Sequence, residues 1–484
     1  MENNQNENPS VFKKQIKLFD AIALVSGSMI GSGVFIVSSS MARELGSTGW
    51  ILAAWLLGTI LTIIAALSYG ELAGMMPWAG GQYVYLREAY HPIVAFLYGW
   101  TLFLVIQTGT IAAVAVGFAK FSGVIFPFIN EQSLLWESYF IKFNTVKILA
   151  IAMAIFLTLL NLNGIKLGRW IQNIFTSVKA ITLLIIILGG IFLSQVNYLG
   201  SPFSVEFWDA SQIIDQKEQS ISGIGIVIAM GIAMVGVIFS LDAWNNLTFT
   251  AGEIVNPKKN LPLGLFLGTL LAGLLYVFIN VIYLKLLPLK GNPEATDVLG
   301  RGIQFALNDR LGTAAMTQLV GNSAIWVMAV FIMISTFGSN NGIILSGARA
   351  YYAMAQDGLF FKKAASLNNK GVPAFGLKAQ CLWVIVLCMT GSYLDLLDYV
   401  VFSVLLFYIL TIFGIFILRK KRPEIERPVK AFAYPFLQGF YIIISLIIMF
   451  ILLIYKPQFT WPGLIIVVSG IPIYFVWKKK NKNI

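Results

Sequence analysis

The sequence predicts an all-α polytopic membrane protein of about twelve helices, the first and sixth discontinuous, on three observations. Of 484 residues, 58% are hydrophobic and only 12% charged, which excludes an ordinary soluble domain. Runs of about twenty apolar residues, enough to cross a hydrocarbon core, recur along nearly the whole chain. In the first and sixth runs, small and polar residues cluster where uninterrupted helix is expected.

In order, the apolar segments read as helices at Leu18–Met41, Trp50–Met76, Pro92–Phe121, Val146–Asn161 and Trp170–Ser194, then Ile221–Ile254, Leu261–Leu287, Gln318–Arg349, Ala374–Tyr393 and Leu396–Leu418. Two more follow near Tyr434–Tyr455 and Trp461–Trp477. After Pro77, the glycine-bearing turn 78–83 leads into a short amphipathic stretch. Tyr351–Lys363 reads as an interfacial helix, with Tyr, Phe and Met beside Lys362 and Lys363. The expected organisation is a tail at 1–17, a first repeat at 18–196, an outer loop at 197–220, a second repeat at 221–418, a basic loop at 419–433, and the last two helices with the C-terminus at 434–484.

The net charge of +12 does not point to nucleic acid. Basic residues gather at alternate segment ends: Lys13, Lys14 and Lys17, Lys166 and Arg169, Lys258 and Lys259, Lys362, Lys363 and Lys370, the 419–430 loop, and 478–480. The intervening loops hold Glu131, Glu137, Glu206, Asp209, Asp215 and Glu218. This positive-inside alternation puts both termini in the cytoplasm of a multi-pass inner-membrane or plasma-membrane protein. The polar tail Met1–Ser10 has no short apolar stretch with a cleavage site behind it, so no cleaved signal is expected. Cys381 and Cys388 share one apolar segment, which argues against a disulfide, and no metal-ligand spacing occurs; neither metal nor cofactor is expected. His91, the one histidine, precedes Pro92 and reads as a helix-end residue.

The first interruption, Ser26 to Gly33, packs three glycines and three serines into eight residues. Taken alone it reads equally as a small-residue packing face. The sixth segment carries a second: Phe239-Ser240-Leu241-Asp242-Ala243-Trp244-Asn245-Asn246, with polar groups that are costly to leave in lipid. Interruptions at corresponding positions of two five-helix halves point to an inverted repeat with a binding site at the midplane.

These residues also carry a resemblance. Gly27 to Phe35 resembles the first helix of the amino acid–polyamine–organocation superfamily. Asp242 to Asn246 with Gly252-Glu253-Ile254 and 256–262, Ser335 to Gly342, and Arg422 to Lys430 resemble its L-type amino-acid transporter branch, prokaryotic type. The resemblance implies a LeuT-type five-plus-five inverted repeat with two added C-terminal helices, moving amino acids by alternating access. It implies that the N–H groups of Ser32 and Gly33 meet a substrate carboxylate, and that carbonyls at Met29, Phe239 and Asp242 accept the α-ammonium. A helix N-terminus suits the first role. Phe239 aligns with a gating aromatic, though an ordinary buried phenylalanine is the plain alternative. Ser339, Asn340 and Phe402 line the pocket by the same likeness, and Ser335 and Ser339, one turn apart, share a face.

Other residues stay open. Asp242 reads first as an N-cap for Trp244 or Asn245, and more sharply as a pocket charge favouring cationic substrates or carrying a proton. Asn245 either holds the unwound backbone or makes a helix-packing bond. Glu71 and Glu253 read as gating or packing residues that need a basic partner. Lys179 stands about 13 Å beyond Trp170, a long reach for snorkelling, so it needs a partner or a role. Sodium-independent members of the superfamily are similar here, with a lysine ammonium where sodium-coupled relatives hold sodium. The hypothesis is that Lys179 braces the first helix through its carbonyls.

Animal L-type transporters join a glycoprotein through a cysteine after the third helix. The loop Ser122–Thr145 has none, so no disulfide-linked heavy chain is expected. The expected partners are a small amino-acid substrate and membrane lipid. An enzyme lacks a clustered nucleophile, base or metal set here. A channel calls for a continuous polar pore. A cationic amino-acid or polyamine antiporter, and a transporter-fold nutrient sensor, remain as alternatives.

Overall fold

The structure is a computed structural model that describes residues 14–137, 142–214, 217–390 and 393–480. The tail Met1–Ser10, Lys13, Asp215 and the side chains of Lys166 and Arg169 lie outside the described residues.

Nine described helices are long and apolar enough to cross a membrane, and three shorter apolar ones at 145–161, 224–240 and 374–389 complete a set of twelve. The first segment is two helices, Leu18–Met29 and Gly33–Leu45. The second to fifth are Thr48–Met75, Pro92–Ile125, Thr145–Asn161 and Ile165–Phe192. The sixth is Ile224–Ser240 followed by the short helix Asn246–Phe249. Pro257–Leu286, Ser323–Gln356, Ala374–Thr390 and Tyr393–Lys421 complete the second half. Phe436–Tyr455 and Pro457–Lys480 are the added pair.

Helix starts follow local chemistry. Ser47 accepts a bond from Trp50 N–H, Asn144 from Lys147 N–H, and His91 Nδ1 from Ile93 N–H, ahead of Pro92. The amphipathic stretch after Pro77 forms the helix Gln82–Ala89. Two expectations change. The stretch from Gln318 splits into Leu311–Val320 and Ser323–Gln356, because Gly321 takes φ +80° and ends the first of them. Tyr351–Gln356 is no interfacial helix. It continues the eighth helix with Tyr351 and Met354 buried, since nothing stops the helix before Gly358 at φ +72°. Two antiparallel hairpins, Leu134–Glu137 with Lys142–Asn144 and Ala210–Ile214 with Lys217–Ile221, mark one end of the bundle. The opposite, basic end carries Lys258, Lys362, Lys363 and the loop after the tenth helix.

The packing relates the halves. The second half of the first segment packs on the sixth helix, the second on the seventh, the third on the eighth and the fourth on the ninth. Four helices of the first half thus lie against their counterparts five segments on, an arrangement that fits an inverted repeat about a two-fold. Small residues let the backbones close up: a Cβ on Gly236 would lie 2.1 Å from Val37, and one on Gly268 2.5 Å from Val25. Hydrophobic area gains little between helices in lipid, so such close contact carries much of the association.

Candidate substrate site at two broken helices

Both interruptions are present and they touch. The first helix stops at Met29 and resumes at Gly33, with Ile30 turned out of helical geometry at ψ 88°. The sixth stops at Ser240, and Ala243 adopts φ +66°, a region alanine rarely enters. Such a backbone persists only where its surroundings hold it. A Cβ on Gly33 would lie 2.3 Å from Ser240 Oγ, so the two breaks meet backbone to side chain. Ser32, Gly33, Asp242 and Ser339 are all buried.

Carbonyls freed by the first break have named partners. Gly27 O accepts from Lys179 Nζ at 2.7 Å, Met29 O from Tyr276 Oη at 2.8 Å, and Ile30 O from Ser335 Oγ at 3.1 Å. Phe239 O accepts from Asp242 N–H at 3.2 Å. Each carbonyl has a second lone pair, so these bonds do not exhaust Met29 or Phe239 as acceptors. The fifth helix runs a ladder beside the first. Asn173 donates to Asp20 at 2.7 Å, and Thr176 donates to Ala23 O at 3.1 Å, ahead of Lys179. Lys179 is 3% exposed, and Gly338 leaves the room its stem occupies, a Cβ there lying 3.3 Å from Lys179 Cε.

Asp242 accepts from Tyr408 Oη on the tenth helix at 2.5 Å and forms no ion pair among the described residues. The short helix after it has Asn245 at the cap position, without a side-chain capping bond. Trp244 and Tyr69 (ring centroids 4.7 Å apart) and Trp244 and Tyr408 (5.2 Å) wall the carboxylate. Asn245 does not bond its own backbone through its amide. It donates to Gln82 at 2.9 Å, and Gln82 donates to Thr411 at 3.0 Å, tying the break to the turn after Pro77 and to the tenth helix. Ser339 donates to Ser335 O and Thr336 O, both 3.1 Å away, and its Oγ would lie 3.4 Å from a Cβ on Gly31. Asn340 donates to Ile111 O at 3.2 Å.

The structure therefore brings Met29, Ser32, Gly33, Lys179, Phe239, Asp242 and Ser339 to one junction. Asn245 faces away toward Gln82. Phe402 is buried on the tenth helix, with no described hydrogen bond or ring contact to the others. Sequence reasoning missed Tyr276, Tyr408, Gln82 and Thr176. Tyrosines and threonines recur throughout these helices, and none of the four stands out by spacing or charge.

Ion pairs close the basic end. Arg419 holds Glu71 through two bonds, at 3.0 and 2.7 Å, and Arg427 lies 3.3 Å from the same carboxylate, which also accepts from Ala431 N–H. Glu253 pairs with Arg349 at 2.7 Å, both almost fully buried. The N–H groups of Gln15 and Ile16 donate to Glu253 O, lacing the start of the chain to the foot of the sixth segment.

Comparison with known proteins reaches the same chemistry. The sequence model of the amino acid permease family matches residues 16–477. The b(0,+)-type amino acid transporter 1 of Mus musculus is 28% identical over 96% of this chain and 88% of its own. The large neutral amino acids transporter small subunit 2 of Homo sapiens is 29% identical over 97% of this chain and 82% of its own. A match from Ile16, just ahead of the first helix, into the last turn of the twelfth takes in both broken helices, the buried lysine and the added pair: the chain belongs to the amino acid permease family, as a multi-pass membrane transporter and not an enzyme.

Proposed function

We propose that this protein moves amino acids across the inner membrane by sodium-independent alternating access, as an exchanger or proton symporter. The observation that carries the reading is the 2.7 Å bond from Lys179 Nζ to Gly27 O, beside the break in the first helix. A buried lysine there supplies the donors that freed carbonyls need, and when charged it would repel a second cation beside it. The N–H groups at Ser32 and Gly33 take the substrate carboxylate at a helix N-terminus, and carbonyls at Met29, Phe239 and Asp242 take its α-ammonium. Phe239 closes over the ligand, while Ser339 and Phe402 contribute to its walls. With cysteine only at 381 and 388, the chain works without a disulfide-linked partner. Both termini face the cytoplasm.

The test is radiolabelled exchange in proteoliposomes across the twenty amino acids and common polyamines, with sodium replaced by choline. Counterflow that persists without sodium supports the reading. A sodium requirement that survives Lys179→Ala would overturn it, and binding without flux would favour a sensor.

One observation favours proton coupling over plain exchange. Asp242 is a buried carboxylate with a tyrosine partner and no cation among the described residues. The titratable groups facing it are Tyr408, which donates to it, and Tyr98 and Tyr441, all neutral hydroxyls. If Asp242 carries the proton, uptake rises as external pH falls, and Asp242→Asn flattens that profile. An unchanged profile in Asp242→Asn assigns the residue to shaping the break.

A further inference from the structure

At the hairpin end, two features outside the transport site adjoin. The first is a pocket of about 130 Å³ between the end of the third helix, the 296–310 connection and the helix Leu311–Val320. Arg301, Arg310, Thr313 and Thr317 line it. Thr313 is 8% exposed, and its hydroxyl has no hydrogen-bond partner. Arg310 donates to Lys120 O at 2.6 Å, and its Nε, also buried, has none either. Three acids lie nearby: Asp297, which also lines the pocket and caps Gly300 N–H at 3.0 Å, Glu131, which neighbours Arg310 and pairs with Lys120 at 3.4 Å, and Asp309, which pairs with Arg43 at 2.8 Å. The pocket thus presents two guanidinium groups, one carboxylate and an unpaired hydroxyl, a net positive lining.

The second feature is a wholly apolar groove of about 290 Å³ between the third, fifth and eighth helices, open on one side. Phe118, Ile125, Phe175, Val330, Met333 and Phe337 line it. Val124 lines the pocket and Ile125 the groove, so the two meet at the end of the third helix; Ile325 and Val330 continue the same junction on the eighth. Groove and pocket follow one another as hydrocarbon and headgroup do in a bilayer.

We infer that this paired site holds a membrane glycerophospholipid, its phosphate against Arg301 and Arg310 and one acyl chain along Phe118, Met333 and Phe337. The groove alone would select nothing, since lipid tails are as apolar as its walls. Selectivity comes from charge-assisted bonds to phosphate, which Arg makes in planar pairs, at a basic pocket between membrane helices. The acyl chain reaches the transport machinery. Phe337 stacks obliquely on Phe175 at 5.5 Å, and both flank Gly338, against which the stem of Lys179 lies.

The test uses the full chain in phosphatidylcholine vesicles doped with phosphatidylglycerol bearing a photoactivatable group in mid-chain, with crosslinks mapped by peptide mass spectrometry. The expected label falls on the groove residues of the third and eighth helices. A diacylglycerol probe with the same chain but no phosphate should label them about tenfold less, as should Arg301→Gln with Arg310→Gln. Because the arginine variants also lose packing, Val330→Trp serves as a second variant: it narrows an exposed part of the groove and should cut labelling with both arginines intact. Equal labelling by the two probes, or labelling spread over all lipid-facing helices, would overturn the assignment. Displacement of the label by millimolar leucine would also overturn it, making the pocket part of the solute path.

Discussion

Gly33 and Ser240 show how little room the junction leaves at the scale of single residues. A methyl at Gly33 would sit 2.3 Å from Ser240 Oγ and 3.0 Å from its Cβ, so the backbones must part to admit it. Overpacking of this kind costs about 1–3 kcal/mol, and here it also moves the N–H groups of the second half-helix. Gly33→Ala should abolish uptake in proteoliposomes, and adding Ser240→Gly should restore part of it. Full activity in Gly33→Ala alone would show that the break does not need this contact. Lys179→Met keeps the length and apolar bulk of the side chain but removes the donor to Gly27 O. A buried acceptor left without its partner costs about 1–3 kcal/mol, so uptake should fall about tenfold, with no new sodium dependence. The buried Arg349–Glu253 pair behaves differently. Arg349→Ala leaves a stranded carboxylate, at a cost of about 3–5 kcal/mol, and should lower the melting temperature in detergent more than Arg349→Met combined with Glu253→Gln.

Between elements, the first half-helix is held on one flank by the fifth helix, through Asn173, Thr176 and Lys179, and below by the foot of the sixth segment. Its other face packs on the seventh helix, where Gly264 and Gly268 admit Ala21 and Val25. Gly27 is the sensitive point, since a Cβ there would lie 1.9 Å from Thr176 Oγ1. Gly27→Ala should slow exchange and lower thermal stability, and Thr176→Ala should recover part of both; recovery of neither would place the strain elsewhere. The sequence made this architecture legible where the chemistry was out of place: glycine and serine inside an apolar run, Asp242 and Asn245 in another, and a lysine far from water. Contacts made by ordinary residues stayed hidden. Tyr276 and Tyr408 are two of 18 tyrosines, and only the folded arrangement shows that one caps Met29 O while the other meets Asp242. The hairpins were hidden too, because strands this short carry too few alternations to read. Tyr351–Gln356 misled because Lys362 and Lys363 lie just beyond it, past the glycine that ends the helix.

For the whole molecule, a buried junction and ion pairs at the basic end fit the alternating access proposed above, in which one site opens to each side in turn. Arg419 and Arg427 on Glu71, and Arg349 on Glu253, are the contacts that opening the basic end has to part or carry along. Ligand can shift such an equilibrium only by binding one arrangement better than another. On the proposed reading the difference resides at the breaks, where Ser32 and Gly33 would offer a helix N-terminus to a carboxylate and nothing comparable to an uncharged group. A substrate stripped of its carboxylate then loses its strongest contact while keeping its ammonium and side chain. In counterflow assays, amines that match good amino-acid substrates except for the carboxylate should neither drive exchange nor inhibit it at equal concentration. The amino acids themselves should exchange equally well in sodium and in choline. Efficient exchange of a carboxylate-free amine would move recognition away from Ser32 and Gly33, toward the carboxylate of Asp242, and would make cations the preferred cargo.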